Sequence, residues 1–127
     1  MQDEKRMAVK EVIEKAYIEG IHGDQDAKTV KGGFHEEFAM LVFKDDAIEK
    51  FNVDRWLDRV DKMKRENTKL WKAKTTYDFS FIDISGNAAA AKLNVYKGKT
   101  HFSTDYMLLY KFKDGWKIVS KIFTIPQ

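Results

Sequence analysis

From Leu70 to the end of the chain, apolar residues recur every second position. Three short glycine-bearing breaks, Ser85-Gly86-Asn87, Lys97-Gly98-Lys99 and Asp114-Gly115, divide this stretch into runs at residues 70–84, 88–97, 100–113 and 116–125. A period of two is the signature of a strand. Breaks this short join only antiparallel neighbours, because a parallel return needs about a dozen residues or more. The second half therefore reads as an antiparallel meander. Several runs are apolar on both faces. Met107 and Leu109 share one parity of residues 101–112, while Phe102, Tyr106, Leu108, Tyr110 and Phe112 share the other. The helices that precede the sheet can cover one face, which leaves the second for an identical subunit.

Before Leu70 the period is helical. Val9, Val12, Ile13, Ala16, Tyr17 and Ile21 form one stripe, which predicts a helix over residues 3–22 that stops at Gly23 in a left-handed turn. Gly20 inside it implies close packing against another element. A short second helix is expected next, capped by Asp24 or Asp26 and ended by Gly32-Gly33. Residues 34–43 end in an apolar strand, Lys44-Asp45-Asp46 turns, and Ala47 to Phe51 return as a short arm. Asn52 then caps a helix carrying Val53, Trp56, Leu57, Val60 and Met63 at three- and four-residue spacing. Helices first and strands after give an α+β fold, with the N-terminal helices packed on one face of a strongly curved, mostly antiparallel sheet. Residues 1–127 are read as a single domain.

Composition narrows the function classes. Nine Phe, five Tyr and three Trp against one Pro supply a core and argue against disorder. No apolar run reaches the roughly 18 residues of a membrane span. No cysteine is present, so disulfides, thiol nucleophiles and cysteine-zinc sites are excluded. No signal peptide is visible, and a cytoplasmic location is expected. The net charge of +3 comes largely from lysines between Lys62 and Lys74 and between Lys92 and Lys121. Their alternation with apolar residues reads as solvated surface, so no nucleic-acid partner is expected. His22, His35 and His101 lack metal-ligand spacing, and no metal or cofactor is expected. His22, at a helix end, is expected to carry partial positive charge there.

Two segments resemble a known family. Tyr17-Ile18-Glu19-Gly20, Gly23-Asp24 and Phe34-His35 resemble the helix-loop opening of the nuclear transport factor 2-like superfamily. Asp105-Tyr106-Met107-Leu108-Leu109, Asp114-Gly115-Trp116-Lys117-Ile118-Val119 and Lys121-Ile122-Phe123 resemble its closing hairpin. The nearest branch is the one described as putative lumazine-binding. The resemblance implies a cystatin-like α+β cone with an internal pocket at its wide end, and frequent dimers through the sheet. Relatives include isomerases, dehydratases, cyclases and non-catalytic proteins, so the fold leaves the activity open. Relatives often continue Phe-His with Pro-Asp, where this chain has Glu36-Glu37.

Within that frame Asp105 stands out, because it shares parity with Met107 and Leu109 in a strand with few polar residues. An inward carboxyl there is an acid or base candidate. Tyr17 lies on the inner helix stripe, from which its hydroxyl can donate to a ligand carbonyl. A tyrosine and an aspartic acid acting together on an oxyanion form a known catalytic arrangement. Both residues read equally well as satisfied core groups. His101 shares the parity of Asp105 by number. His35 reads either as a ligand contact or as a loop-fixing residue. Phe38, Met40, Trp56, Phe79, Leu93 and Met107 complete the expected ligand-binding set with Tyr17, His35 and Asp105, and suit an apolar or flat aromatic ligand. Ala88 to Ala91 leave volume on the inner face. The expected function is a dimeric small-molecule-binding domain. The alternatives are a cofactor-independent isomerase, dehydratase or cyclase using Asp105 and Tyr17, and a non-catalytic protein-interaction module.

Overall fold

The computed structural model describes residues 2–24 and 26–126; Met1, Gln25, Gln127 and the side chain of the alternative cap Asp24 lie outside the described residues. Helix α1 (Gln2–Ile13) buries Val9 and Ile13. The chain then widens into a π-type coil, Glu14–Asp24, rather than continuing the single α-helix expected to residue 22. Wide turns of this kind are concentrated at functional sites. Here the coil buries Ala16, Tyr17, Ile18, Ile21 and His22 on one broad face. Its helical geometry breaks at Gly23, whose φ of −94° is not the expected left-handed turn.

Helix α2 (Ala27–Gly33) starts on the Asp26 cap, whose carboxylate accepts from the Lys28 amide. It packs so closely on the coil that a Cβ at Gly20 would stand 2.7 Å from Val30 Cγ2. Strands β1 (Phe34–Lys44) and β2 (Ala47–Phe51) form a hairpin turned by Asp45 and Asp46, both at positive φ. Helix α3 (Val53–Glu66) is capped by Asn52, whose side chain accepts from the Arg55 amide. Its inward Val53, Trp56 and Val60 are buried. A second cap, Asn67, starts helix α4 (Thr68–Lys72). The expected strand at residue 70 therefore begins only at Thr75, because the cap commits residues 68–72 to a helical turn.

Strands β3 (Thr75–Ser85), β4 (Ala88–Lys97), β5 (Thr100–Phe112) and β6 (Gly115–Thr124) form the antiparallel meander. The six-stranded sheet runs β2-β1-β6-β5-β4-β3, with β1 and β6 parallel. Register shifts interrupt every pairing except β1–β2. Such bulges bend a sheet and re-aim side chains. Two of them set the interior. The shift opposite Leu108/Leu109 moves the inward parity of β6 from Trp116 and Ile118 to Lys121. The shift at Val95/Tyr96 separates His101 from the inward parity of Asp105. Among the described residues no helix is long and apolar enough to cross a membrane.

Candidate functional site

The interior between the coil, α3 and the β1–β6–β5 strands holds a cluster of polar groups. The Tyr17 hydroxyl donates to Asp105 Oδ2. Lys121 Nζ lies 3.6 Å from Asp105 Oδ1. Register explains the meeting: Lys121 is paired with Met107 and Asp105 with Phe123, so the two charges are diagonal neighbours on β6 and β5. On its other side Lys121 faces β1, where its register partner Met40 places a sulfur 3.7 Å from the ammonium. Three aromatic faces complete its surroundings, with Nζ at 4.1 Å from the Phe123 ring centre, 4.9 Å from Trp56 and 5.3 Å from Tyr17. Asp105 is 0% exposed and Lys121 4%.

A cavity of about 60 Å³ opens beside this pair. Tyr17, Ile21, His22, Met40, Trp56, Ser103 and Lys121 line it, with Arg59, Met63, Trp71, Phe102, Phe123 and Ile125 also on its wall. Asp105 is not on the wall; it acts on the cavity through Tyr17 and Lys121. The wall has an unusual property. Both ring nitrogens of His22 and Ser103 Oγ are buried without a hydrogen-bond partner in the protein, as is Asp105 Oδ1 behind them. Buried polar atoms are paired in the great majority of cases. Several unpaired ones around one void form a surface that a polar-edged guest would complete.

The electrostatics follow from burial. His22 sits edge-on to Tyr17 and Phe102 and stacked on Trp71. Its pKa is pushed well below the ordinary histidine value, first by burial and then by Lys97, Lys121 and Lys64. The ring is therefore neutral, offering one donor and one acceptor, in place of the partly positive helix-end ring expected. Burial also raises the Tyr17 pKa well above its usual value, and the Asp105 charge adds to it. The Lys121 amine is lowered by burial, with Asp105 opposing. Lys97 Nζ stands 3.9 Å over the Trp71 ring and 3.2 Å from Thr75 Oγ1, and burial lowers its pKa to about 8.

The expected site residues divide into three groups. Tyr17, Met40 and Trp56 line the cavity. Phe38, Leu93, Asp105 and Met107 are buried behind it, with Phe38 stacked on Trp56 at 5.7 Å between ring centres. His35 and Phe79 are elsewhere. His35 accepts from the Glu37 amide and stacks on Phe112, while Phe79 packs edge-on against Tyr77 with Lys10 above it. His101 bonds Thr104 and lies against Tyr96, whereas the bulge beside it sends Phe102 to the cavity. Ala89 and Ala91 are buried but do not line this cavity.

Sequence reasoning missed Lys121, Lys97, His22 and Ser103 as interior groups, having read the lysines as solvated surface. Lys97 and Ser103 carried a legible signal. Lys97 continues the inward parity of Leu93 and Val95 along β4, and Ser103 that of Asp105 along β5. Lys121 carried none, because an unseen bulge reverses the parity of β6. Among the described residues no three His, Asp or Glu side chains converge as metal ligands.

The family model described as putative lumazine-binding matches residues 4–124. Among solved structures, an NTF2-like protein of unknown function from Shewanella baltica OS155 is 22% identical, with a TM-score of 0.79 over 100% of this chain and 98% of that one. An NTF2-like protein of unknown function from Silicibacter pomeroyi DSS-3 is 14% identical, with a TM-score of 0.78 over 99% of each chain. A domain of unknown function with a cystatin-like fold from Nostoc punctiforme PCC 73102 is 12% identical, with a TM-score of 0.67 over 98% of this chain and 78% of that one. At these identities the likeness establishes the cone fold and nothing about activity. Among curated proteins none matches this chain.

Proposed function

The chain belongs to the family described as putative lumazine-binding, and from that premise we propose that it binds a small flat molecule in its cone, polar edge inward. The observation that carries this reading is the unpaired polar wall: His22 Nδ1 and Nε2 and Ser103 Oγ, beside the Lys121 ammonium. Trp56, Trp71, Phe102 and Phe123 supply flat apolar surfaces around that edge. A cavity of about 60 Å³ is well below the roughly 300 Å³ of a drug-sized pocket. The ligand is accordingly compact, or its entry displaces the flexible Met63 and Arg59 side chains on the wall. In this reading Tyr17 and Asp105 hold Lys121 in place, and Lys121 meets the ligand.

The test is a thermal-shift and tryptophan-fluorescence screen with flat heterocycles, lumazine among them. Binding raises Tm and perturbs Trp56 and Trp71 emission, and His22→Leu with Ser103→Ala removes the response to polar-edged compounds. A response that survives both substitutions places the ligand elsewhere and overturns the reading.

A catalytic reading is favoured by one observation, the Tyr17–Asp105 hydrogen bond in a sealed interior. It makes Asp105 and Tyr17 the working pair of a cofactor-independent isomerase, dehydratase or cyclase. Turnover of a bound carbonyl compound that Asp105→Asn abolishes without weakening binding would establish it; turnover unchanged in that variant would end it.

The homodimer also belongs to this proposal. Tyr106, Leu108, Tyr110 and Ile122 on the outer faces of β5 and β6 are 38%, 51%, 51% and 50% exposed. Tyr106 and Ile122 are cross-strand partners, so these side chains form a contiguous exposed apolar strip. Light scattering at micromolar concentration is expected to give twice the chain mass, reduced to one by Leu108→Lys with Ile122→Lys. A monomer mass for the unmodified protein overturns the dimer and leaves the pocket untouched.

A further inference from the structure

Among the described side chains the charge around the cavity is unbalanced. Lys121 and Arg59 are on its wall, and Lys97 and Lys64 stand over Trp71, another wall residue, at 3.9 and 5.7 Å from the ring centre. Among the described side chains the carboxylate that faces them is Asp105, already committed to Lys121 and Tyr17. Among the described residues Arg59, Lys64 and Lys97 have no carboxylate within ion-pair distance. Lys64 instead donates to the Gly23 carbonyl at 3.4 Å and Lys97 to the Thr75 hydroxyl at 3.2 Å. Lys97 is 1% exposed, the least exposed lysine in the described chain. A buried ammonium without a counter-charge is costly. A protein with no use for the charge has cheaper residues for that position, such as Met or Leu.

The same cations face His22, where Lys97 on β4, Lys121 on β6 and Lys64 on α3 add to the larger effect of burial in disfavouring a charged ring. The wall is also wrong for a cation. Ammonium groups already stand over its aromatic rings, with Lys97 over Trp71 and Phe102 and Lys121 over Trp56 and Phe123. A positively charged guest would meet repulsion from these four cations. A neutral guest would satisfy the hydrogen-bonding wall and leave the charge uncompensated.

We infer that the cone selects a small aromatic acid, a flat ring bearing one anionic group, with Lys121, Ser103 and His22 taking the anionic edge and Lys97, Lys64 and Arg59 supplying the attractive field. This rests on the reading of the cone as a ligand pocket and adds the charge of the occupant. Lys97, buried and without an ion-pair partner among the described residues, is then explained as part of the counter-charge for that anionic group. Attraction of this kind also raises the encounter rate and weakens with salt.

The experiment uses three molecules of one shape and three charges: benzoate, benzamide and benzamidine. Each is titrated into the whole protein and followed by tryptophan fluorescence and by the NMR signals of His22. Benzoate is expected to bind about ten-fold more tightly than benzamide at low salt, with benzamidine weakest. Raising the salt should narrow the gap. Lys97→Met is expected to weaken benzoate several-fold and leave benzamide within about two-fold. Equal affinity for benzoate and benzamide overturns the inference while leaving the pocket reading standing. So does an equal loss of both ligands in Lys97→Met, which would mark a structural role. If none of the three perturbs Trp56, Trp71 or His22, the pocket reading itself falls, and this inference with it.

Discussion

Lys121 Nζ and Asp105 Oδ1 lie 3.6 Å apart with almost no solvent access, and the Tyr17 hydroxyl occupies the other carboxylate oxygen. At that distance the pair attracts as charges without forming a tight hydrogen bond. Its stability rests on each charge cancelling the other in an apolar interior.

Removing one partner exposes that dependence. Asp105→Asn keeps an acceptor for Tyr17 but leaves the ammonium uncompensated, and a loss of about 3–5 kcal/mol is expected. Pairing it with Lys121→Met removes both charges and should restore most of the loss. Urea denaturation of the two single variants and the double gives the coupling. Additive losses would show that the pair does not act as a unit.

His22 sets an acid limit on stability. The folded ring resists protonation, while the unfolded chain takes a proton at about the ordinary value of 6.5. Below that pH the unfolded state binds more protons, so stability falls as pH drops from about 6.5 toward the depressed folded value. The unfolding free energy of the unmodified protein is expected to decline more between pH 7.5 and 5 than that of His22→Phe. In NMR the folded His22 ring should remain neutral across the midpoint of an ordinary histidine. A normal titration curve for His22 would contradict its burial.

Gly20 is a packing device. A methyl there would stand 2.7 Å from Val30 Cγ2 and 3.5 Å from Val30 Cα. Gly20→Ala gains about 1 kcal/mol of helix propensity, yet overpacking of about 1–3 kcal/mol should dominate. A net loss in thermal unfolding, relieved in the double variant with Val30→Ala, is the expected result. A more stable Gly20→Ala would show that α2 yields freely.

The meander, the Asn52 cap and the inward Tyr17 and Asp105 were readable because each follows a local rule of period, turn or cap. The α4 turn was missed because the alternation after Leu70 outweighed a single capping residue, Asn67. The chemistry of the cavity was less legible for a physical reason. Strand parity is a count, and one bulge inverts every later residue. The shifts in β5 and β6 put Lys121 and Phe102 inside and His101 outside, reversing what counting gives. A buried lysine also violates the usual ranking of residues by burial, so composition argues against it until the fold is seen. His35 was singled out by its neighbours in sequence, and the fold carries it to Phe112 instead.

Lys97 gives the last prediction, because a buried charge without an ion-pair partner among the described residues leaves a signature in the pH dependence of stability. Its folded pKa is about 8 against 10.5 for an ordinary lysine. Between these values the unfolded chain holds a proton that the folded chain has released. Its contribution to stability therefore rises with pH across that window and is least favourable below pH 8. Tyr17 acts in the opposite sense above about pH 10, where the unfolded phenol ionises and the raised folded one does not. The comparison is thus made between pH 7 and pH 10, and against a variant. Lys97→Met keeps the length and apolar bulk of the stem and removes the charge. It is expected to be more stable than the unmodified protein by about 1 kcal/mol at pH 7, with the gap closing as pH approaches 10. Guanidinium denaturation at the two pH values measures it. A variant less stable at pH 7 would mean that the ammonium over Trp71 holds the fold together, and the case for an uncompensated charge would fail.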